Sequence, residues 1–116
     1  MSVITIYHNP SCSKSRETLD ILLARKKSPR IKLYLTEKIL FEELLDIIIK
    51  LNIKLRDLLR TSEVEYKAHH LDDINLTDYE IIQFMIKFPK LIQRPIVVYK
   101  DNAILGRPPK NVLNII

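Results

Sequence analysis

The sequence predicts an α/β domain in which a β-α-β unit leads into a helical insertion, followed by a β-hairpin and a C-terminal helix. Three observations carry that reading. A β-branched and aromatic run, Val3 to Tyr7, gives way to a polar turn and then to residues with helical periodicity. Apolar residues recur at helical spacing over about residues 40–90. Near the end of the chain, two short strand-like runs flank Lys100-Asp101-Asn102.

In chain order, the polar turn His8-Asn9-Pro10-Ser11 ends the first strand, and Ser11 or Ser13 supplies a helix cap. From Lys14 onward, Thr18, Leu19, Ile21, Leu22 and Leu23 form one apolar face. That helix ends near Arg25-Lys26-Lys27, whose cations suit the negative end of its dipole. Ile31 to Leu35 alternates as a second strand, parallel to the first. Phe41, Leu44, Leu45, Ile48 and Ile49 mark one helix of the insertion. Tyr79, Ile82, Phe84, Met85 and Ile86 mark another, with Thr77 as its cap. Between them, Leu55 to His70 reads as short, charge-rich turns. Ile96–Tyr99 and Ala103–Leu105 form the hairpin, and Pro108-Pro109 open a last helix through Val112, Leu113 and Ile116.

This order is thioredoxin-like, with the helical insertion placed before the hairpin. At 116 residues the whole chain, 1–116, is expected to be one domain, and the insertion is too short for a core of its own. No apolar run approaches the roughly 20 residues of a membrane span. Met1 to Tyr7 lacks a basic leader and reads as a first strand, so the expected location is the cytoplasm. The net charge of +5 lies mostly on scattered lysines, which suits small anions better than nucleic acid. Neither a nucleic-acid nor a membrane partner is expected.

Cys12 is the only cysteine, so it has no internal disulfide partner, and no structural metal site is expected. It stands just after a strand and just before a helix, where unpaired backbone N–H groups and the positive end of the dipole favour a thiolate. A free cysteine of pKa near 8.5 is only about 3% ionised at pH 7. Lowering it by two units makes it about 75% ionised, a difference of roughly 2.7 kcal/mol that one helix end rarely supplies alone. His8, Lys14, Ser15 and Arg16 are the neighbours able to add to it. A lone cysteine is often a small core residue, but the polar flanks Asn9 to Arg16 favour a reactive thiol. Ser15 stands where a dithiol enzyme has its second cysteine, so the reductant comes from elsewhere. The pair His69-His70 lacks further ligands at metal spacing and reads as surface.

Arg60, Arg94 and Arg107 each fall at a junction between elements, where side chains of a rigid scaffold converge. Paired guanidinium N–H donors suit tetrahedral oxyanions. Pro95 enters a strand, the position of the structural proline that thioredoxin-like folds set beside the redox turn. Gly106, the single glycine, is expected to mark an unusual conformation or a close approach.

Together these segments resemble the glutaredoxin-linked arsenate reductase family. The resemblance is carried by Tyr7-His8-Asn9-Pro10-Ser11-Cys12-Ser13-Lys14-Ser15-Arg16, Leu58-Leu59-Arg60, Leu91 through Val98, and Gly106-Arg107-Pro108-Pro109. The chain stops at Ile116, sooner than established arsenate reductases, and so looks like a short branch of the family. The resemblance implies catalytic roles for Cys12, His8 and Ser15, with His8 and Ser15 lowering the thiol pKa. It implies oxyanion binding by Arg60, Arg94 and Arg107. Cys12 would attack arsenate, glutathione would attack the arsenylated intermediate, and glutaredoxin would complete reduction to arsenite. No bound cofactor or metal is implied, and glutathione is a co-substrate. Two alternatives stand beside this reading: a glutathione-linked thiol oxidoreductase with another substrate, and a non-catalytic redox regulator.

Overall fold

A computed structural model describes residues 3–116; Met1 and Ser2, part of the expected first strand, lie outside the described residues. The chain divides into two compact units. One comprises the residues up to Glu37 together with Arg94–Ile116, and the other is Lys38–Gln93.

The first unit holds the sheet. β1 (Thr5–Tyr7), α1 (Ser13–Ala24) and β2 (Arg30–Lys32) form the expected β-α-β unit, and β1 pairs with β2 in parallel, Ile6 opposite Ile31. β3 (Ile96–Tyr99) and β4 (Asn102–Leu105) form the hairpin, and β3 lies antiparallel to β1. The strand order is β2-β1-β3-β4. Ile4, Ile6, Leu22, Val97 and Val112 form the buried core between the sheet, α1 and a closing 3-10 helix, Pro109–Asn114. Fully burying one such aliphatic side chain stabilises the fold by about 1.5–3 kcal/mol.

Several boundaries differ from the sequence reading for local reasons. Neither Ser11 nor Ser13 caps α1. The Ser11 N–H bonds the Asn9 side chain at 3.0 Å, Ser13 is already helical, and Cys12 occupies the N-cap position with extended φ −98° and ψ 123°. β2 stops at Lys32 because Leu33 folds into a turn. Its N–H donates to the Glu37 carboxylate at 2.7 Å, and its carbonyl accepts the N–H groups of Thr36 and Glu37. The hairpin turn is tighter than expected: Asn102 pairs with Tyr99 inside the ladder, and Lys100 takes φ 58°. The final helix is a 3-10 helix that begins at Pro109, with Pro108 outside it.

The second unit is helical. It contains α2 (Phe41–Leu51), a 3-10 turn Leu55–Leu58, α3 (Val64–Ala68), α4 (Asp78–Lys87) and a second 3-10 turn, Pro89–Leu91. Thr77 caps α4 as expected: it accepts the Glu80 N–H at 3.2 Å, and the Glu80 carboxylate accepts the Thr77 N–H at 3.0 Å. The stretch read as turns from Leu55 to His70 contains α3, which is only five residues long and has no buried residue. Leu59 bridges to Ile92, so the two 3-10 turns are tied together. His69 stacks on Phe88 at 4.8 Å and tilts against Phe84 at 5.3 Å, an aromatic packing role. Among the described residues, no three or more His, Cys, Asp or Glu side chains gather as a metal site. No described helix is long and apolar enough to cross a membrane.

Candidate active site

The first unit brings together Cys12, His8, Ser15, Arg94, Pro95 and Arg107. β1 delivers His8 at its end, and the His8 N–H is held by the Lys32 carbonyl at 2.8 Å. The turn then places Cys12 at the head of α1, where its N–H donates to the Asn9 carbonyl at 3.0 Å and its carbonyl accepts the Arg16 N–H. Cys12 is largely buried, with 9% of the residue exposed.

Opposing effects act on that sulfur. Burial pushes the Cys12 thiol up, because a charged sulfur loses its hydration. The Ser15 N–H, the hydrogen bond and charge of the Arg94 guanidinium, and the Lys14 N–H act the other way. Together they win, and the thiol lies below its ordinary value.

The neighbours divide differently from what their residue types suggest. The Lys14 side chain pairs with Glu17 at 3.9 Å, and the Arg16 guanidinium donates to the Pro10 carbonyl at 2.9 Å. Neither side chain is a source of charge at the sulfur, and Lys14 contributes through its backbone instead. His8 is buried, and its Nδ1 lies 2.6 Å from Ser15 Oγ. Burial first, then the nearby Arg16 charge, holds the imidazole below its ordinary value, so the ring is neutral at pH 7. Ser15 Oγ also accepts the Asn9 N–H at 3.0 Å, so one hydroxyl ties the turn backbone to the His8 ring. His8 and Ser15 thus form a neutral, buried pair that fixes the turn carrying Cys12.

Among the charged side chains, Arg94 is the one that acts on the Cys12 sulfur, and its Nε is buried without a hydrogen-bond partner. A cation that touches the sulfur and keeps an unused donor suits an anion undergoing attack there. Arg107 is exposed, and one of its terminal nitrogens donates to the Arg94 carbonyl at 3.3 Å. Both Arg94–Pro95 and Arg107–Pro108 are cis peptide bonds. Arg60 belongs to the second unit. Its N–H bonds the Leu91 carbonyl at 2.8 Å, its guanidinium stands 3.7 Å from the Glu63 carboxylate, and its Nε, like that of Arg94, is buried and unpartnered.

Residue-type reasoning missed Thr18. It is fully buried, and its hydroxyl lies 2.8 Å from the Lys14 carbonyl and 3.4 Å from the Gly106 carbonyl. Gly106 has no positive φ; its lack of a side chain answers to space. A Cβ there would collide with Thr18 Oγ1 and lie 2.8 Å from Pro95 Cγ. The signal available in the sequence was a hydroxyl on an otherwise apolar helical face, together with a single glycine beside Arg107.

Comparison with known proteins follows the same segments. The ArsC family matches residues 7–115. An arsenate reductase of Haemophilus influenzae is 45% identical over all of both chains. An arsenate reductase of Escherichia coli is 41% identical over all of this chain and 82% of its own. The solved structure of an arsenate reductase from Vibrio cholerae is 42% identical and superposes with a TM-score of 0.96 over 98% of each chain.

Proposed function

Because the chain belongs to the ArsC family, we propose that it reduces arsenate to arsenite, with Cys12 as nucleophile and glutathione and glutaredoxin as reductants. The observation that carries this reading is the Arg94 guanidinium at a Cys12 thiol already poised toward thiolate, since the chemistry requires a nucleophile and an anion-binding cation together.

In this reading the Cys12 thiolate forms an S–As bond, and one arsenate oxygen takes up a proton and leaves as water. A glutathione thiol adds to the arsenic with loss of a second water. A glutaredoxin thiolate then attacks the glutathione sulfur. The S–As bonding pair passes to arsenic, which falls from As(V) to As(III), and glutathione departs as a mixed disulfide with glutaredoxin. Water displaces the Cys12 sulfur, releasing arsenite and regenerating the thiolate. No resident cofactor enters the cycle. Arg94 and Arg107 hold charge on the arsenic oxygens, and Arg60 is assigned the same work on the chemistry of its guanidinium. The Ser15 N–H acts on the Cys12 sulfur directly, while the His8–Ser15 side-chain pair acts indirectly, by keeping the Cys12 turn in place. A cytoplasmic setting, where glutathione keeps thiols reduced, matches these requirements.

The test is arsenate-dependent NADPH oxidation in an assay coupled through glutathione, glutaredoxin and glutathione reductase. Native turnover that disappears in Cys12→Ser and Arg94→Ala, and whose arsenate KM rises in Arg60→Ala and Arg107→Ala, is the expected result. A native protein with an ionised Cys12 and no arsenate turnover overturns the substrate assignment and directs the search to other thiol chemistry.

A further inference from the structure

We propose that Thr18 is a positioning residue for oxyanion binding, holding the Gly106–Arg107 peptide in register with the helix that carries the nucleophile. The inference rests on the reading of Arg107 as an oxyanion ligand. Thr18 lies inside α1, and its hydroxyl proton is shared between two acceptors on different segments. One is the Lys14 carbonyl at 2.8 Å, in the turn whose N–H groups face the Cys12 sulfur. The other is the Gly106 carbonyl at 3.4 Å, part of the peptide unit that supplies the Arg107 N–H.

The Gly106 side of this contact is fixed from several directions. Its N–H donates to the Pro95 carbonyl at 3.0 Å, which links it to the segment bearing Arg94. Arg107 then reaches back to the Arg94 carbonyl at 3.3 Å. Gly106 is buried, so its carbonyl relies on the Thr18 hydroxyl where water is scarce. The absence of a Cβ lets the backbone come this close: Thr18 Cγ2 stands 3.1 Å from where that atom would lie. The Thr18 hydroxyl, the missing side chain at Gly106 and the bond from Arg107 to the Arg94 carbonyl therefore fix where the Arg107 backbone stands against α1, the helix headed by Cys12.

The consequence is separable from the activation of the thiol. The groups that hold Cys12 below its ordinary value are the Ser15 and Lys14 N–H groups and Arg94, none of which bonds the Thr18 hydroxyl. Thr18→Val keeps the shape and removes the hydroxyl; Thr18→Ser keeps the hydroxyl and removes a methyl. The arsenate constant is read two ways, as KM in the coupled assay and as protection of Cys12 from alkylation, alongside the pH titration of thiolate absorbance. Loss of the one hydrogen bond that positions this peptide predicts a rise of up to about tenfold in the arsenate constant for Thr18→Val. The thiolate titration and kcat stay near native, Thr18→Ser restores binding, and Thr18→Val adds nothing in an Arg107→Ala background. Where Thr18→Val does not fold, Thr18→Ala carries the same comparison.

A fall in kcat with an unchanged arsenate constant overturns the inference, as does a binding loss that serine fails to rescue or that adds in full to Arg107→Ala. A native arsenate constant in Thr18→Val beside a raised one in Arg107→Ala overturns the Thr18 role alone. An unchanged constant in Arg107→Ala removes the oxyanion reading and this inference with it.

Discussion

Replacing Gly106 by alanine tests the packing between α1, the helix headed by Cys12, and the loop that carries Arg107. The new Cβ would collide with Thr18 Oγ1, lie 2.8 Å from Pro95 Cγ and lie 3.1 Å from Thr18 Cγ2. Carbon atoms settle at about 3.5–4.0 Å, so the Pro95 contact alone is short by roughly 0.7 Å or more. Neither neighbour yields easily, because Thr18 is fully buried and Pro95 is a ring. Overpacking of this kind costs about 1–3 kcal/mol. Alanine also reduces the freedom of the unfolded chain, which offsets about 0.4–1 kcal/mol, so the steric effect wins. Since Gly106 has no positive φ, backbone strain adds nothing. A net loss of about 1–2 kcal/mol corresponds to a fall in Tm of roughly 4–8 °C for a chain of this size. Thermal unfolding followed by circular dichroism reads it, and Thr18→Ala in the same chain removes two of the three close contacts and recovers part of the loss. A Gly106→Ala protein that melts with the native one refutes the close-approach argument, and so does a double variant whose losses simply add.

Three further outcomes follow from the same geometry. Arg94→Ala raises the Cys12 pKa, because it removes both a hydrogen bond and a positive charge from the thiolate, and alkylation rates measured against pH show the shift. His8, whose pKa is lowered on folding, binds fewer protons in the native state than in the unfolded one. Stability is therefore unaffected by this group above the unfolded value of 6.5 and falls as the pH drops below it; His8→Asn flattens that acid limb in melts recorded across pH. Thr77→Ala removes the cap of α4 and costs about 1 kcal/mol, a drop of roughly 4 °C in Tm, while arsenate turnover per folded molecule is unchanged.

The fold was legible where a physical signal was strong. The parallel β1–β2 pair, α2, α4 with its Thr77 cap and the hairpin all announce themselves by periodicity or turn chemistry. Boundaries were lost where side chains intervened: Glu37 reaches back to Leu33 and ends β2 early, and α3 buries nothing that a pattern would show. At the site, the helix-terminal position of Cys12 could be read from the strand-to-turn sequence. Which cation serves the sulfur could not. Lys14 and Arg16 are nearest along the chain, yet they spend their charges on Glu17 and on Pro10, and the contact comes from Arg94, far away in sequence. The state of His8 depends on burial and on Arg16, neither of which spacing reveals. Thr18 was read as part of an apolar face because its partner, the Gly106 carbonyl, is 88 residues away.

Cys12 occupies the residue position at which helices ordinarily place a serine or an aspartate, and its side chain makes no cap hydrogen bond. Once the proton leaves, the sulfur becomes an anion facing the Ser15 and Lys14 N–H groups, so ionising the nucleophile also finishes the helix. Any covalent bond formed at that sulfur takes the finishing charge away again. Alkylation of Cys12 is therefore expected to speed amide exchange at Lys14 and Ser15, whose N–H groups lose their anionic partner, and to leave Arg16, whose N–H bonds the Cys12 carbonyl, unchanged.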